Sequence, residues 1–500
     1  MSTNVELGEQ QAPGAVPAGL QQFTVLPAWL EAAAQPERVQ RTLARSLPAF
    51  ATAELQLEAC EIKGLRFSAK TGCWMGSYRV TVAGPQPGQR RVVVLRGTIV
   101  PPGIDEPAAA GATPAFGEQG WCTYLPELRL HVQVEPEETE LTMLPALTNP
   151  EDARAFLEQS IRGGPGAYSE IRIAAATPRV MRYIANRRCT ILYHLAYPAD
   201  LAAKRHWPDR VVAKVYKDDK GQNAYAAMRA LWHSPLATSK KVSLAEPLAY
   251  LPALKVLVQG PVREEQTLSD LLREALRSGT PEARATLREY LRTTAVGLAA
   301  LHHSGVRWGT ARAWADKLAK VREELEQLAH VVPHLAAAAD ILAVPLLGRL
   351  DALARTSPAD APVPVHGSFR PAQVLLSQGR IGFIDFDTFC QAEPAMDLAL
   401  FRSSLKDEGM RVLYGEGNSM EGTVLDPATC EARLAQLDEL GEVFLAHYEP
   451  HGPVSRQRVA LWEACELFTL VVRSWARVQP VRLTHMLMLL ERHGRATGWW

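Results

Sequence analysis

Residues 363–387 read VPVHGSFRPAQVLLSQGRIGFIDFD, and the order of side chains in this stretch decides the fold. A short polar turn, His366-Gly367-Ser368, precedes an apolar run, a Gly turn at Gly379, a second apolar run and two acids, Asp385 and Asp387. Buried strands that end in carboxylates are costly unless those charges meet a cation or a metal. The stretch therefore reads as a polar loop followed by a strand that delivers acids to a site.

Composition limits what that site serves. A chain of 500 residues is too long for one ordinary core and suits two or three packed units. Charged residues make up 22% and sum to zero, which removes the field by which a nucleic-acid or anionic-membrane binder gathers its partner. The seven cysteines lie far apart with no paired spacing, so neither a zinc cage nor a disulfide framework is indicated, and a reducing compartment fits. The N-terminus has no basic segment followed by an apolar one, and no apolar run reaches the roughly 18 residues of a membrane span. The expectation is a cytoplasmic protein with no nucleic-acid or membrane partner.

Upstream, the chain divides into stretches of different character. Residues 1–20 are rich in Gly, Pro and Gln and read as a disordered tail. Residues 21–165 read as an α+β domain of unknown role, with a helix from about Pro36 to Leu47, strands at Tyr78–Val82, Arg91–Leu95 and Leu128–Val134, and a helix from Pro150 to Ile161. The Pro/Ala/Gly stretch Pro101–Gly117 reads as a surface loop, and Gly163–Gly166 as a helix cap and linker.

Residues 166–262 read as a strand-rich lobe, with strands at Val180–Tyr183, Cys189–Leu195, Arg210–Tyr216 and Lys255–Gln259. From 263 to 500 the pattern is almost wholly helical. Leu287, Leu291, Ala295, Leu298 and Leu301 keep the spacing of a buried helical stripe, and Trp462, Phe468, Val472 and Trp475 mark another. Lys214 falls inside an otherwise apolar strand, and lysine is almost never buried without an anionic partner.

In this order and spacing, Val211-Val-Ala-Lys214, Val258-Gln259-Gly260-Pro261, Val296–His302, His366-Gly367 and Ile384-Asp385-Phe386-Asp387 resemble the aminoglycoside phosphotransferase and choline kinase-like family of small-molecule kinases. The resemblance runs from about Arg172 to the C-terminus. It implies an α+β, bilobal, protein-kinase-like fold with a β-rich N-lobe and a helical C-lobe, here preceded by the extra N-terminal α+β domain. It also implies ATP and Mg²⁺ as cofactors, a small hydroxylated acceptor, and transfer of phosphate to its hydroxyl.

By that resemblance Lys214 takes the α- and β-phosphates, and Asp385 holds Mg²⁺, with Gln373 as a second candidate ligand. The loop Ile184–Arg188 covers the phosphates through Arg187 and Arg188, and the backbone at Gln259 and Gly260 meets the adenine. His366, Ser368 and Asp387 are the catalytic candidates, and Asp397 braces the loop.

Three positions depart from the pattern. The family loop H-G-D-x-x-x-x-N reads here as His366-Gly-Ser368-Phe-Arg-Pro-Ala-Gln373. Serine is no base at neutral pH, and a general base contributes about 10²–10⁴ in rate. Asp387 is the expected helper of Ser368. No acid lies between Asp219 and Glu246 to pair with Lys214, which leaves Gln222 or Asn223. The alternative reading is a pseudokinase that binds nucleotide and regulates a partner without turnover. Asp407, Glu408, Glu416 and Glu421 would favour a cationic acceptor if they faced it, or else form a solvated charged loop.

Overall fold

A computed structural model describes residues 22–47, 50, 55–86, 88–104, 122–134, 140–165, 168–202, 207–414 and 427–499. The expected tail at 1–20, the loop beyond 104, Gly166, Glu416 and Glu421 lie outside the described residues.

Two five-stranded antiparallel sheets precede the helical half. The first is built from β1 (Gln56–Ser68), β2 (Cys73–Ala83), β3 (Arg90–Ile99), β4 (Cys122–Leu125) and β5 (Leu130–Val134), in the order β1-β2-β3-β5-β4. Helices α1 (Ala28–Ala33) and α2 (Pro36–Ser46) pack beside it. The second follows helices α3 (Leu144–Thr148) and α4 (Pro150–Arg162). It contains β6 (Ala175–Ile184), β7 (Arg188–Ala196), β8 (Arg210–Tyr216), β9 (Pro247–Leu251) and β10 (Val256–Gln259), with α5 (Lys220–Trp232) between β8 and β9. Its order, β6-β7-β8-β10-β9, is that of the first sheet.

The likeness extends to single hydrogen bonds, so the chain carries the same unit twice. Tyr124-Leu-Pro-Glu-Leu-Arg129 and Tyr250-Leu-Pro-Ala-Leu-Lys255 both place Pro-x-Leu in a 3₁₀ turn, and each turn closes on a left-handed residue, Arg129 at φ 48° and Lys255 at φ 53°. Val100 N–H donates to Arg129 O at 2.9 Å, and Tyr216 N–H to Lys255 O at 3.0 Å. The buried Tyr78 hydroxyl donates to Ala33 O at 3.0 Å, and Tyr193 does the same to Leu147 O at 2.7 Å. In this register Thr98, opposite His131, occupies the place that Lys214 holds opposite Leu257. The first copy therefore has a threonine where the second has its buried lysine.

Packing places the border between the units near residue 140. Leu147, Leu157 and Ile161 from α3 and α4 share a core with Ile191, Tyr193, Val215 and Val258 of the second sheet. The helix expected to close the first domain at 165 belongs to the second unit, because its apolar face is buried there.

The helical half contains α6 (Leu268–Ser278), α7 (Pro281–His302), α8 (Trp314–Val331), α9 (Val344–Thr356), α10 (Pro394–Tyr414), α11 (Pro427–Tyr448), α12 (Arg456–Ala476) and α13 (Pro480–Thr497). Between α9 and α10 run four short strands, β11 (Val363–Val365), β12 (Val374–Ser377), β13 (Arg380–Phe383) and β14 (Cys390–Ala392), which carry the stretch quoted above. The stripe through Trp462, Phe468, Val472 and Trp475 is core, each residue at most 3% exposed. Among the described residues no helix is long and apolar enough to cross a membrane.

The first unit docks on the helical half, and Trp475 is the anchor. Its indole N–H donates to Phe23 O at 3.0 Å, its ring lies 6.2 Å from that of Trp74 on β2, and His334 Nε2 donates to Val25 O at 2.7 Å. Truncating a buried Trp to Ala costs about 3–5 kcal/mol. Trp475→Ala should lower stability by that amount and release the first unit at lower denaturant, as followed by urea unfolding and limited proteolysis. An unchanged single transition would contradict this docking.

Candidate active site

Lys214 reaches across the lobes. It leaves β8 with only 8% of its surface exposed, and its ammonium lies 3.0 Å from Asp385 Oδ1 and 3.8 Å from Asp387 Oδ1. A buried lysine requires an anion, and these carboxylates supply it. Asp385 follows the end of β13 in the left-handed region, at φ 72° and ψ 55°. Aspartate tolerates that conformation better than most residues, and such strain concentrates at functional sites.

Burial disfavours the charge on Asp385, but Lys214 and then Arg188 outweigh it and hold the carboxyl well below its usual range. Asp387 is pushed the other way, first by burial and then by the charge on Asp385, against the pull of Lys214, Tyr216 and Arg188. One acid of the pair is a firm anion, and the other holds a proton more readily.

Asp387 faces the sheet lobe. Tyr216 Oη donates to Asp387 Oδ1 at 2.9 Å and Arg188 Nη1 to Asp387 Oδ2 at 3.3 Å, and Arg188 lies 3.7 Å from Asp385. Its expected pairing with Ser368 is not made. Of the two arginines proposed for the covering turn, only Arg188 enters the site; Arg187 is exposed, on the side of Asp218. Asn223 does not pair with Lys214. It donates to the carbonyls of Asp387 at 3.1 Å and Phe389 at 3.2 Å, and accepts from Trp308 Nε1 at 3.1 Å, which fastens α5 to the acid turn.

The loop is held from behind. Asp397, at the start of α10 and fully buried, accepts from His366 N–H at 2.6 Å and Gly367 N–H at 2.9 Å. His302 Nε2 lies 3.3 Å from the same carboxylate, and its Nδ1 is 2.8 Å from Tyr448 Oη. Gly367 has φ 78°, and a Cβ there would sit 2.2 Å from Thr388 O, so only glycine fits. His366 Nε2 is 2.9 Å from Ile384 O, which can only accept, so Nε2 carries the proton and Nδ1 is bare. That bare nitrogen faces Ser368 Oγ at 3.4 Å, while Gln373 Nε2 donates to the same Oγ at 3.3 Å. Burial lowers the His366 pKa and keeps the ring neutral.

Gln373 also tests the fit of a metal. With its amide nitrogen committed to Ser368, its Oε1 is buried and has no hydrogen-bond partner. An orphan amide oxygen and an ionised Asp385 are the hard oxygen donors that Mg²⁺ prefers. Among the described residues no group of three His, Cys, Asp or Glu side chains could hold an ion unaided.

At the hinge, Gly260 N–H is committed to Glu246 O at 2.8 Å and does not face a ligand. Pro261 has no N–H, so the next donor along this segment is Val262. Of the acids expected to draw a cationic acceptor, the two described, Asp407 and Glu408, are occupied. Arg482 grips Asp407 at 2.9 and 2.7 Å, Arg411 joins at 2.8 Å, and Ser269 donates to Glu408.

The fold and site thus define a bilobal, kinase-like α+β protein with a lysine and an aspartate meeting between its lobes. Residues 251–423 match the model of the phosphotransferase enzyme family, the stretch that holds the hinge, the loop and both acids, and there the resemblance to aminoglycoside phosphotransferase and choline kinase-like proteins holds. No curated protein sequence matches the chain.

Similar solved structures include a glucosamine kinase in complex with glucosamine, ADP and inorganic phosphate, 16% identical over 94% of this chain and 100% of that one, TM-score 0.44. A choline kinase from Cryptosporidium parvum Iowa II is 13% identical over 69% of this chain and 97% of its own, TM-score 0.43. A thermostable mutant of aminoglycoside phosphotransferase APH(4)-Ia is 13% identical over 65% and 96%, TM-score 0.42. At such scores these likenesses carry no weight for substrate or mechanism.

Removing the brace leaves two buried amides without acceptors, at about 1–3 kcal/mol each. Asp397→Ala should therefore destabilise the chain by at least about 2 kcal/mol in urea unfolding, and a loss under about 0.5 kcal/mol would show that the loop stands without it.

Proposed function

We propose that the protein is an ATP-dependent phosphotransferase acting on a hydroxyl of a small molecule. A Ser368–His366 pair stands in for the usual aspartate. The observation that carries the reading is the 3.0 Å meeting of Lys214 and Asp385 beside the 366–373 loop. A buried cation from one lobe and a partly exposed anion from the other are the parts needed to hold a metal-bound triphosphate.

Lys214 and Arg188 bind the phosphates, and Asp385 with Gln373 would hold Mg²⁺. When bound, Mg²⁺ supplies charge neutralisation between the phosphates. Ser368 accepts from Gln373 and directs its own proton at His366 Nδ1, which leaves one lone pair on Oγ for the acceptor's hydroxyl. As the acceptor oxygen bonds to the γ-phosphorus and the bond to the β,γ-bridging oxygen breaks, the acceptor's proton passes to Ser368 and the serine's proton to His366. ADP leaves. The transition state for phosphoryl transfer is loose and needs little early proton removal, so a weak neutral base suffices.

The pseudokinase alternative draws on one observation, that Asp385 pairs directly with Lys214 and so occupies its ammonium. ADP release across a library of hydroxylated acceptors separates the two. Turnover is expected, Ser368→Ala should lower kcat at least about tenfold, and Ser368→Asp should raise it by up to about 10². Because burial depresses His366, the acid limb of kcat/KM should fall below an ordinary histidine's pKa of ~6.5. MgATP binding with no ADP release from any acceptor, in the wild type and in Ser368→Asp alike, would favour the pseudokinase.

A further inference from the structure

The sheet lobe turns one face of β8 and β10 toward the cleft. Val211, Ala213, Val215, Val256 and Val258 point the other way, into the core shared with α3 and α4. Side chains alternate along a strand, and residues paired across a ladder share a face. Lys214 and Tyr216, whose polar ends reach Asp385 and Asp387, therefore mark the cleft face, and Val212 lies on it too. Leu257 pairs with Lys214 and Gln259 with Val212, so Gln259 shares that face, two residues or about 7 Å along from the lysine.

Gln259 is the one polar residue of β10 and only 6% exposed, yet its side-chain amide makes no hydrogen bond among the described residues. The amide is not wholly enclosed either, so what remains accessible opens on the cleft. An amide held out of water without partners is costly, and it offers a donor and an acceptor side by side.

The segment that follows runs from β10 to the strand that carries the acids. A Cβ on Gly382 would sit 2.3 Å from Val262 Cγ1, so Val262 rests on the bare face of β13, three residues before Asp385. Residues 260–262 thus close the end of the cleft next to Gln259. Among the described residues Gly260 O and Val262 N–H are unpaired, while Gly260 N–H is spent on Glu246 O.

We propose that the side chain of Gln259 selects the nucleobase: Oε1 accepts from N6–H of adenine, and Nε2 donates to N7. This rests on the phosphotransferase reading and names the specificity-determining residue of its nucleotide site. With the triphosphate at Lys214 and Asp385, the base lies toward Val212 and the 260–262 segment. Adenine carries two hydrogens on N6. One meets Gly260 O, and N1 takes Val262 N–H. The other N6 hydrogen and N7 form the donor and acceptor pair that a glutamine amide matches with two bonds. The backbone alone leaves N7 unread. A 6-oxo purine would set its oxygen against Gly260 O and its N1–H against Val262 N–H, so adenine is the base this edge fits.

The test is calorimetric titration of the full chain, in Mg²⁺, with ATP and with 7-deaza-ATP, which keeps N6 and N1 but has C–H in place of N7. The wild type should bind 7-deaza-ATP at least about tenfold more weakly than ATP. Gln259→Met, which keeps the length of the side chain, should bind the two alike at the weaker affinity. Gln259→Glu, which sets a carboxylate against the N7 lone pair, should prefer 7-deaza-ATP. Equal binding of the two by the wild type, or a preference for ATP that survives either substitution, overturns the inference and leaves the nucleotide reading intact. Absence of ATP binding by the wild type overturns both. The wild-type contrast needs no variant, so it decides the matter even where a substitution fails to fold.

Discussion

The ion pair between Lys214 and Asp385 joins halves of the chain that share no local sequence. Taking an ammonium and a carboxylate out of water costs several kcal/mol per ion unless geometry and further partners offset it. Here Arg188, Tyr216 and Asp387 complete the set, and Asn223 and Trp308 fix the turn that carries the acids. Removing either member would leave the other with only a longer contact, Lys214 to Asp387 at 3.8 Å or Asp385 to Arg188 at 3.7 Å. An arrangement of that cost is poor evidence for stability alone, but it suits a site whose cation and anion are to be separated by phosphates and metal.

The second constraint is the buried carboxylate of Asp397, which fixes the backbone of His366 and Gly367. With Nε2 of the imidazole committed to Ile384, its bare Nδ1 faces Ser368. Where an aspartate would present charge to an acceptor hydroxyl, this loop presents a neutral hydroxyl backed by a neutral ring. The usual negative charge at that position is thereby absent.

Much of the fold and half of the site were legible in the sequence because they depend on short fixed spacings. Lys214 betrayed itself as a charge in an apolar strand, and His366 to Asp387 lie on one continuous turn-and-strand stretch. The partners of these residues were not legible, because Tyr216, Asn223 and Asp387 meet only after three separate elements pack. Arg187 and Arg188 are adjacent in sequence, and only the geometry of the turn before β7 decides which enters the site. The border at 140 depended on which sheet buries the apolar face of α4. The duplication was within reach: Tyr124–Arg129 and Tyr250–Lys255 are nearly the same words. Unequal insertions hid it, since α5 lies between β8 and β9 and a different stretch between β3 and β4.

The central claim is that one nucleotide is gripped between Lys214 and Asp385, and that the first unit, with Thr98 in the lysine's place, grips none. Titration calorimetry of ATP with and without Mg²⁺ tests it most directly. The account expects one ATP per chain, bound more tightly with Mg²⁺, at least about tenfold more weakly by Lys214→Met, and without help from Mg²⁺ in Asp385→Asn. Two nucleotides per chain, or an affinity indifferent to both substitutions, would contradict it.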